Sequence, residues 1–354
     1  MSSRVTLLDI ARETGVSVST VHRALNTSNK VKPEVKSRVT NMAVEMGYFR
    51  LHETDNKEQF HLAMLCPNNT FYDEVLSGAR MAKSRYMPFG IRVDFICSDH
   101  YDVGEQSAQL RAMLETEPFP YKGVAITPAH SLLLNPLLNE ISSKFARVVT
   151  FNNDAMDSGR ISFIGEDPTV AAQTAALIYE RMLPPGATIA VMSSHLSVAS
   201  LRERVSQFIK TIHEGGRLKV LGEIEYVDEI ASAYSISLQV LESLHPDAIF
   251  TNSMLGSIGC AQAIEKTGNA GRVLLVSYDI NERIKKYLQN GVILATLTQD
   301  PFMQGYQAIH VLARSVLQPG YAPQTIYHTR TDIVMRTNIR EHMPELWDED
   351  LQVM

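Results

Sequence analysis

No run of 18 or more apolar residues occurs in this 354-residue chain, so nothing in it reads as a membrane-spanning helix. The first thirty residues lack the basic, apolar, small-residue succession of an export signal, and a cytoplasmic location with no membrane partner is expected. Cysteine is scarce. Cys66, Cys97 and Cys260 are odd in number and widely spaced, which disfavours a disulfide framework or a zinc cluster and suggests reduced thiols in apolar strands. Catalytic signatures are missing too: there is no G-x-S-x-G elbow, G-x-x-x-x-G-K-[ST] loop, H-E-x-x-H or C-x-x-C. Gly256 and Gly259 do not complete a G-x-G-x-x-G, and the histidines, such as His195, His213 and His310, are scattered. No enzyme, cofactor or metal ion is expected.

What is present suffices for two or three compact units, with 45% hydrophobic and 20% charged residues. The net charge of -6 hides an asymmetry: residues 1 to 50 hold eight Lys/Arg against four Asp/Glu, and the remainder is correspondingly more acidic. Such a split suits a small module that approaches an anionic partner, tethered to a larger one that does not.

Within residues 1–49, Thr6 followed by Asp9 reads as a capping box that opens a helix, with Leu7, Ile10 and Ala11 at helical spacing, and Gly15 ends it. Ser17 can cap a second helix running to about Leu25, after a connection too short for anything but a sharp angle. Pro33 suits the first turn of a third, where Val35, Val39, Met42, Ala43 and Met46 recur before Gly47. Three helices so spaced predict an all-α helix-turn-helix domain whose second helix enters a DNA major groove. Arg23 can fork onto guanine O6 and N7, Ser19 can exchange one hydrogen bond, and Val18 can touch a thymine methyl. Thr6, Thr20, His22, Asn26 and Lys30 are better placed for phosphates, which set register without reading sequence.

The stretches Val5 to Ala11, Gly15 to Val21, Arg23 to Asn26 and Met46 to Tyr48 closely resemble the DNA-binding headpiece of the lactose-repressor (LacI/GalR) family of bacterial transcription regulators. His22 departs from the serine usual there. Residues 50–59 (RLHETDNKEQ) read as a polar linker, and the Pro-Asn pair and Ala-Arg-x-Leu hinge helix that normally follow in this family are not visible. No wedge residue is therefore carried over.

Residues 60–340 alternate apolar runs with amphipathic stretches. Strands are expected at 61–66, 91–97, 123–127, 147–151, 188–192, 218–226, 248–251, 273–277 and 293–297, which is the β-α-β rhythm of doubly wound parallel sheets. Breaks at 154–165 and 298–301 suggest two lobes joined there, and residues 341–354 are left as a tail. Open α/β sheets bind ligands beyond the carboxyl ends of their strands, and there the sequence places amides, carboxylates and aromatics. That mixture suits a neutral polyol, whose hydroxyls donate and accept while its C–H faces pack on rings.

These turns resemble the pockets of ribose-binding-protein-like (periplasmic-binding-protein-like) effector domains. The resemblance assigns Asn69, Phe71, Tyr72, Arg204, Asn252, Asp279 and Gln299 to the effector, and Asn152 stands where sugar binders commonly have aspartate, followed by Asn153 in place of a common arginine. Together the two resemblances imply a sugar- or polyol-responsive transcription regulator, a repressor by expectation, that binds operator DNA as a homodimer. The alternatives are a free-standing carbohydrate-binding protein and a sugar-active enzyme carrying a headpiece, for which Asp154 and Asp279 are the conceivable carboxylate pair.

Overall fold

The computed structural model describes residues 6–25, 31–46, 59–98, 102–144, 146–194, 198–318 and 320–339. Thr6 opens α1 (Leu7–Thr14) with a complete capping box: the Asp9 carboxylate accepts from the Thr6 N–H at 2.9 Å while the Thr6 hydroxyl accepts from the Asp9 N–H. Gly15, at φ 66°, ends the helix in the left-handed region that a side chain would penalise. Two residues on, the Ser17 hydroxyl accepts from the Thr20 N–H at 3.2 Å and starts α2 (Val18–Leu25). With Pro33 at its first position, α3 (Pro33–Glu45) closes the three-helix unit over Ile10, Ala11, Val21, Ala24, Val39 and Ala43. The expected helix ends at Asn26, Thr27 and Gly47, the 50–59 linker apart from Gln59, and the 341–354 tail lie outside the described residues.

The larger part begins with β1 (Phe60–Pro67), α4 (Thr70–Tyr86), β2 (Ile91–Ser98), α5 (Val103–Glu115), β3 (Gly123–Ile126), α6 (Ser131–Ser143), β4 (Arg147–Phe151) and β5 (Ser162–Gly165). It continues with α7 (Pro168–Met182), β6 (Thr188–Ser193), α8 (Ala199–Gly215), β7 (Lys219–Glu225), α9 (Ile230–Ser243), β8 (Ala248–Thr251), α10 (Met254–Lys266), β9 (Leu274–Tyr278), α11 (Glu282–Gln289) and β10 (Ala295–Thr298). Last come α12 (Pro301–Leu317), β11 (Ile326–His328) and β12 (Asp332–Met335). They build two six-stranded sheets, ordered β11-β5-β4-β3-β1-β2 and β12-β10-β9-β8-β6-β7. Every pairing is parallel except that of β10 with β12. Burial on both faces explains the unbroken apolar runs, of which Leu62 to Cys66 is one.

The lobe junctions differ from those expected. β5 falls inside the supposed break at 154–165 and joins the first sheet beside β4, and the chain crosses immediately afterwards at Glu166 and Asp167. It returns at Gln299 and Asp300, as anticipated, because α12 packs on α4 in the first lobe. A third crossing, residues 329–331, joins β11 of the first sheet to β12 of the second. β5, β11 and β12 are not expected from the sequence: β5 and β11 hold two adjacent apolar residues each, Phe163-Ile164 and Ile326-Tyr327, and β12 only Ile333 to Met335, runs too brief to mark a strand. The crossings are stitched together: Thr329 donates its hydroxyl to the Gln299 carbonyl at 2.8 Å and its N–H to the Gly165 carbonyl at 2.9 Å.

α4 and α12 approach so closely that glycine is required on each. A methyl at Gly78 would collide with the Phe302 carbonyl, and one at Gly305 with that of Val75. In an exposed helix, Gly→Ala gains roughly 0.5–1 kcal/mol; here overpacking against backbone costs about 1–3 kcal/mol and should win. Gly305→Ala is therefore expected to lower the thermal midpoint, and an unchanged or raised midpoint would contradict this packing.

Candidate functional site

The exposed face of α2 carries Val18, Ser19, His22 and Arg23, while Val21 and Ala24 turn into the helical core. Arg23 lies along the helix, its Nε donating to the Ser19 carbonyl and one terminal nitrogen to the Ser19 hydroxyl, both at 3.2 Å. Two of the three expected base readers, Arg23 and Ser19, thus form one hydrogen-bonded pair on the surface, with Val18 exposed beside them. Thr6 and Thr20 are occupied differently from a pure phosphate contact. The Thr6 hydroxyl donates to Asp9 at 2.6 Å, a bond that, with the Thr6 N–H, holds the Asp9 carboxyl below the usual carboxylate range, and the Thr20 hydroxyl sits 2.8 Å from that of Ser17. Asn26 and Lys30 lie outside the described residues.

In the larger part, the carboxyl ends of both sheets border one cleft of about 210 Å³. Doubly wound sheets place ligands there because helix N-termini and loop side chains converge past the strand ends. From the first lobe, the turn after β1 supplies Asn69, Phe71 and Tyr72, and the turn after β4 supplies Asn152 and Asn153. The second lobe adds Ser200 and Arg204 from α8, Asp228 after β7, Ser253 after β8 and Asp279 after β9, and Gln299 comes from the second crossing. Asn152 and Asp279 sit at φ 61° and 60°, and Asp300 at 52°. Asn and Asp tolerate this left-handed region better than other non-glycine residues, and such outliers gather at ligand sites.

A continuous polar chain runs along the cleft. The Tyr72 hydroxyl donates to Asn152 Oδ1 at 3.2 Å, Asn152 Nδ2 to Gln299 Oε1 at 3.1 Å, and Gln299 Nε2 to Asp279 Oδ1 at 2.9 Å. Asn69 spends its oxygen capping α4, accepting from the N–H groups of Phe71 and Tyr72, which leaves its N–H donors for a ligand. Phe71 and Tyr72 meet edge to face at 5.0 Å and give the cleft an aromatic wall.

Arg204 is only 3% exposed. Two of its nitrogens donate to Glu166 Oε1 and a third to the Asn252 carbonyl at 3.0 Å, while its guanidinium stacks 4.4 Å from the Tyr278 ring centre. Burial pushes the carboxyls of Glu166 and Asp279 upward, against the pull of the Arg204 charge. Glu74, on α4, is likewise raised to about 7 by burial and by nearby Asp279.

Asn252 is the exception among the expected effector residues. It does not line the cleft: its Oδ1 accepts from the Ser194 N–H at 3.1 Å and its Nδ2 donates to the Ser194 carbonyl at 2.9 Å, so the amide braces the loop after β6. Asn is a common turn-stabilising residue after a strand, and that role prevails here. Asp154 also stays out, held by Arg160 and by the Thr150 hydroxyl at 2.8 Å, so it forms no carboxylate pair across the cleft with Asp279. Sequence reading missed Ser200, Asp228 and Ser253 in the lining, and Glu166, the partner of Arg204 behind it. Asp228 and Ser253 follow strands and obey the rule that found the others, whereas Glu166 follows the unanticipated β5.

A second, larger hollow of about 490 Å³ lies among the amino ends of β9 and β10 and the C-terminal ends of α7 and α11. Its walls are mainly aliphatic, and it sits away from the strand ends where the polar groups converge.

Comparison with known proteins agrees with this architecture. Residues 6–50 match the bacterial regulatory proteins of the lacI family, and residues 62–318 match the periplasmic binding protein domain. The chain is 23% identical over 296 residues to a D-ribose/D-allose-binding protein of Pseudomonas aeruginosa, covering 80% of this chain and 88% of that one. It is 27% identical over 153 residues to the HTH-type transcriptional regulator RegA of Clostridium saccharobutylicum, covering 42% and 44%. A transporter solute-binding protein of Burkholderia graminis C4D1M, solved with D-arabinose, has the same fold, with a TM-score of 0.74 at 20% identity over 81% of this chain and 98% of that one. With a lacI-type helix-turn-helix joined to a periplasmic binding protein domain, the chain belongs to the LacI/GalR family of transcriptional regulators.

Proposed function

We propose that this regulator is a cytoplasmic repressor that binds a pseudo-palindromic operator as a homodimer and responds to a neutral sugar or polyol held between its lobes. The observation that carries the reading is the polar chain Tyr72, Asn152, Gln299, Asp279, which links both lobes and a crossing at the place where the strand ends converge. Arg23, with Ser19 and Val18, reads base edges, and Thr6, Thr20 and His22 meet phosphates. Asn69, Phe71, Tyr72, Asn152, Arg204, Asp279 and Gln299 hold the effector. Several relatives are named for sugars, in keeping with that class.

The chemistry favours an uncharged ligand. Among the described residues lining the cleft, Arg204 is the one cation, and Glu166 already compensates it, while Asp228 and Asp279 add negative charge. A phosphate or carboxylate would enter a field of its own sign, whereas hydroxyls can donate to the carboxylates and accept from the amides. Effector binding changes operator affinity only to the extent that one lobe arrangement binds it better.

Three outcomes follow. Arg23→Ala should lose about 1–3 kcal/mol of operator affinity in an anisotropy titration, with relaxed base preference; equal losses on operator and random duplex would remove the base-reading role. A sugar that raises the wild-type melting temperature by mass action should give no shift with Asp279→Asn, while operator binding persists, and an undiminished shift would place the effector elsewhere. Arg204→Ala should cost about 3–5 kcal/mol of stability by stranding a buried carboxylate, and adding Glu166→Gln should recover part of it; no recovery would mean that the pair is not the source of the loss.

A further inference from the structure

The fold brings together two cysteines that are far apart in sequence. β1 and β2 pair in parallel with Cys66 directly in register with Cys97. Neighbouring strands lie about 4.7–4.9 Å apart, inside the roughly 4.4–6.8 Å between Cα atoms that a disulfide spans. In-register residues of a parallel pair project from the same face, and Cys66 packs in the cluster that also holds Ile91 and Val93, with Phe95 against it. The two thiols are close enough to share a hydrogen bond, and both are reduced. Their surroundings differ: Cys66 is buried and Cys97 is exposed on the edge strand.

We infer that Cys66 and Cys97 form a dithiol site that hydroperoxides oxidise to an intrachain disulfide. The sulfur of the exposed Cys97, its proton released to solvent, attacks the terminal peroxide oxygen; the O–O bond breaks, the other oxygen takes up a proton and leaves as water from hydrogen peroxide or as the alcohol from an organic hydroperoxide, and Cys97 becomes a sulfenic acid. The Cys66 sulfur then attacks the Cys97 sulfur, the S–O bond breaks, and the water so released carries off the Cys66 proton. Two electrons pass from the thiols to the peroxide. Burial pushes the Cys66 thiol well up, an effect that neighbouring Cys97 reinforces and Arg80 opposes, so the exposed Cys97 and not Cys66 is the thiol that meets the peroxide first. The bond would close just ahead of the turn bearing Asn69 and Phe71, where the Asn68 N–H already donates to the Ser98 carbonyl at 2.8 Å. In the cytoplasm, the location proposed above, a disulfide of this kind would be transient and suited to redox sensing.

The test uses the full chain, reduced, freed of reductant and treated with hydrogen peroxide in modest excess, then unfolded in iodoacetamide and mapped by peptide mass. The expected product has lost two hydrogen atoms, contains a peptide crosslinked between Cys66 and Cys97, carries alkylated Cys260, and reverts with dithiothreitol. Cys97→Ser should give no crosslink, and Cys66→Ser should accumulate a sulfenic acid at Cys97 that dimedone traps. The inference is overturned if Cys97 proceeds to sulfinic acid in the wild type with Cys66 still alkylated, if the only linkage is between Cys97 residues of two chains, or if neither thiol reacts.

Discussion

The Arg204 guanidinium is placed where little else could stand. It fills the back of the cleft between Glu166 of the first crossing and Tyr278 at the end of β9, and it donates to the Asn252 carbonyl behind β8. A buried charge is tolerated only when it is paired and its donors are satisfied, so this residue ties a helix of the second lobe to the segment by which the chain leaves the first. The cleft is therefore anchored at a crossing. A ligand that touches Arg204, Asp279 and Gln299 would meet a second-lobe helix, the end of β9 and the second crossing at once, and contacts of that kind are what a preference for one lobe arrangement requires.

Parallel topology supplies the rest. Because both sheets present their carboxyl ends to one space, residues with no sequence proximity become neighbours: Asn69 and Tyr72 after β1, Asn152 after β4, Asp279 after β9. The left-handed backbone at Asn152, Asp279 and Asp300 fits the same account. Asn and Asp occupy that region at lower cost than other side chains, so residue types chosen for hydrogen bonding also suit the sharp turns that present them.

Much of this was legible beforehand, for identifiable reasons. The Thr6 and Asp9 capping box, Gly15 and Pro33 are local signals, and local physics decides helix ends, so the helical unit follows from the chain directly. Long apolar strands such as β1 announce themselves by run length. What stayed hidden depends on pairing between distant segments. β11 is short and exists as a strand because it pairs with β5 across more than a hundred residues, while β5 is held between it and β4. The third crossing was invisible with them, and so was Glu166. Asn252 looked like a ligand residue because its type and position were right, yet its amide is consumed by the Ser194 loop. The adjacency of Cys66 and Cys97 is a property of strand order and register, which spacing along the chain does not encode.

A ligand in the cleft and DNA on the exposed face of α2 are coupled in a regulator of this design, and linkage makes that coupling reciprocal. The most direct measurement is the dissociation constant for an operator fragment at fixed salt, with and without a neutral sugar shown to raise the melting temperature of the same preparation. A sugar-dependent change in operator affinity, with random duplex affected far less, is the predicted result. A sugar that stabilises the protein and leaves the operator dissociation constant unaltered would contradict it.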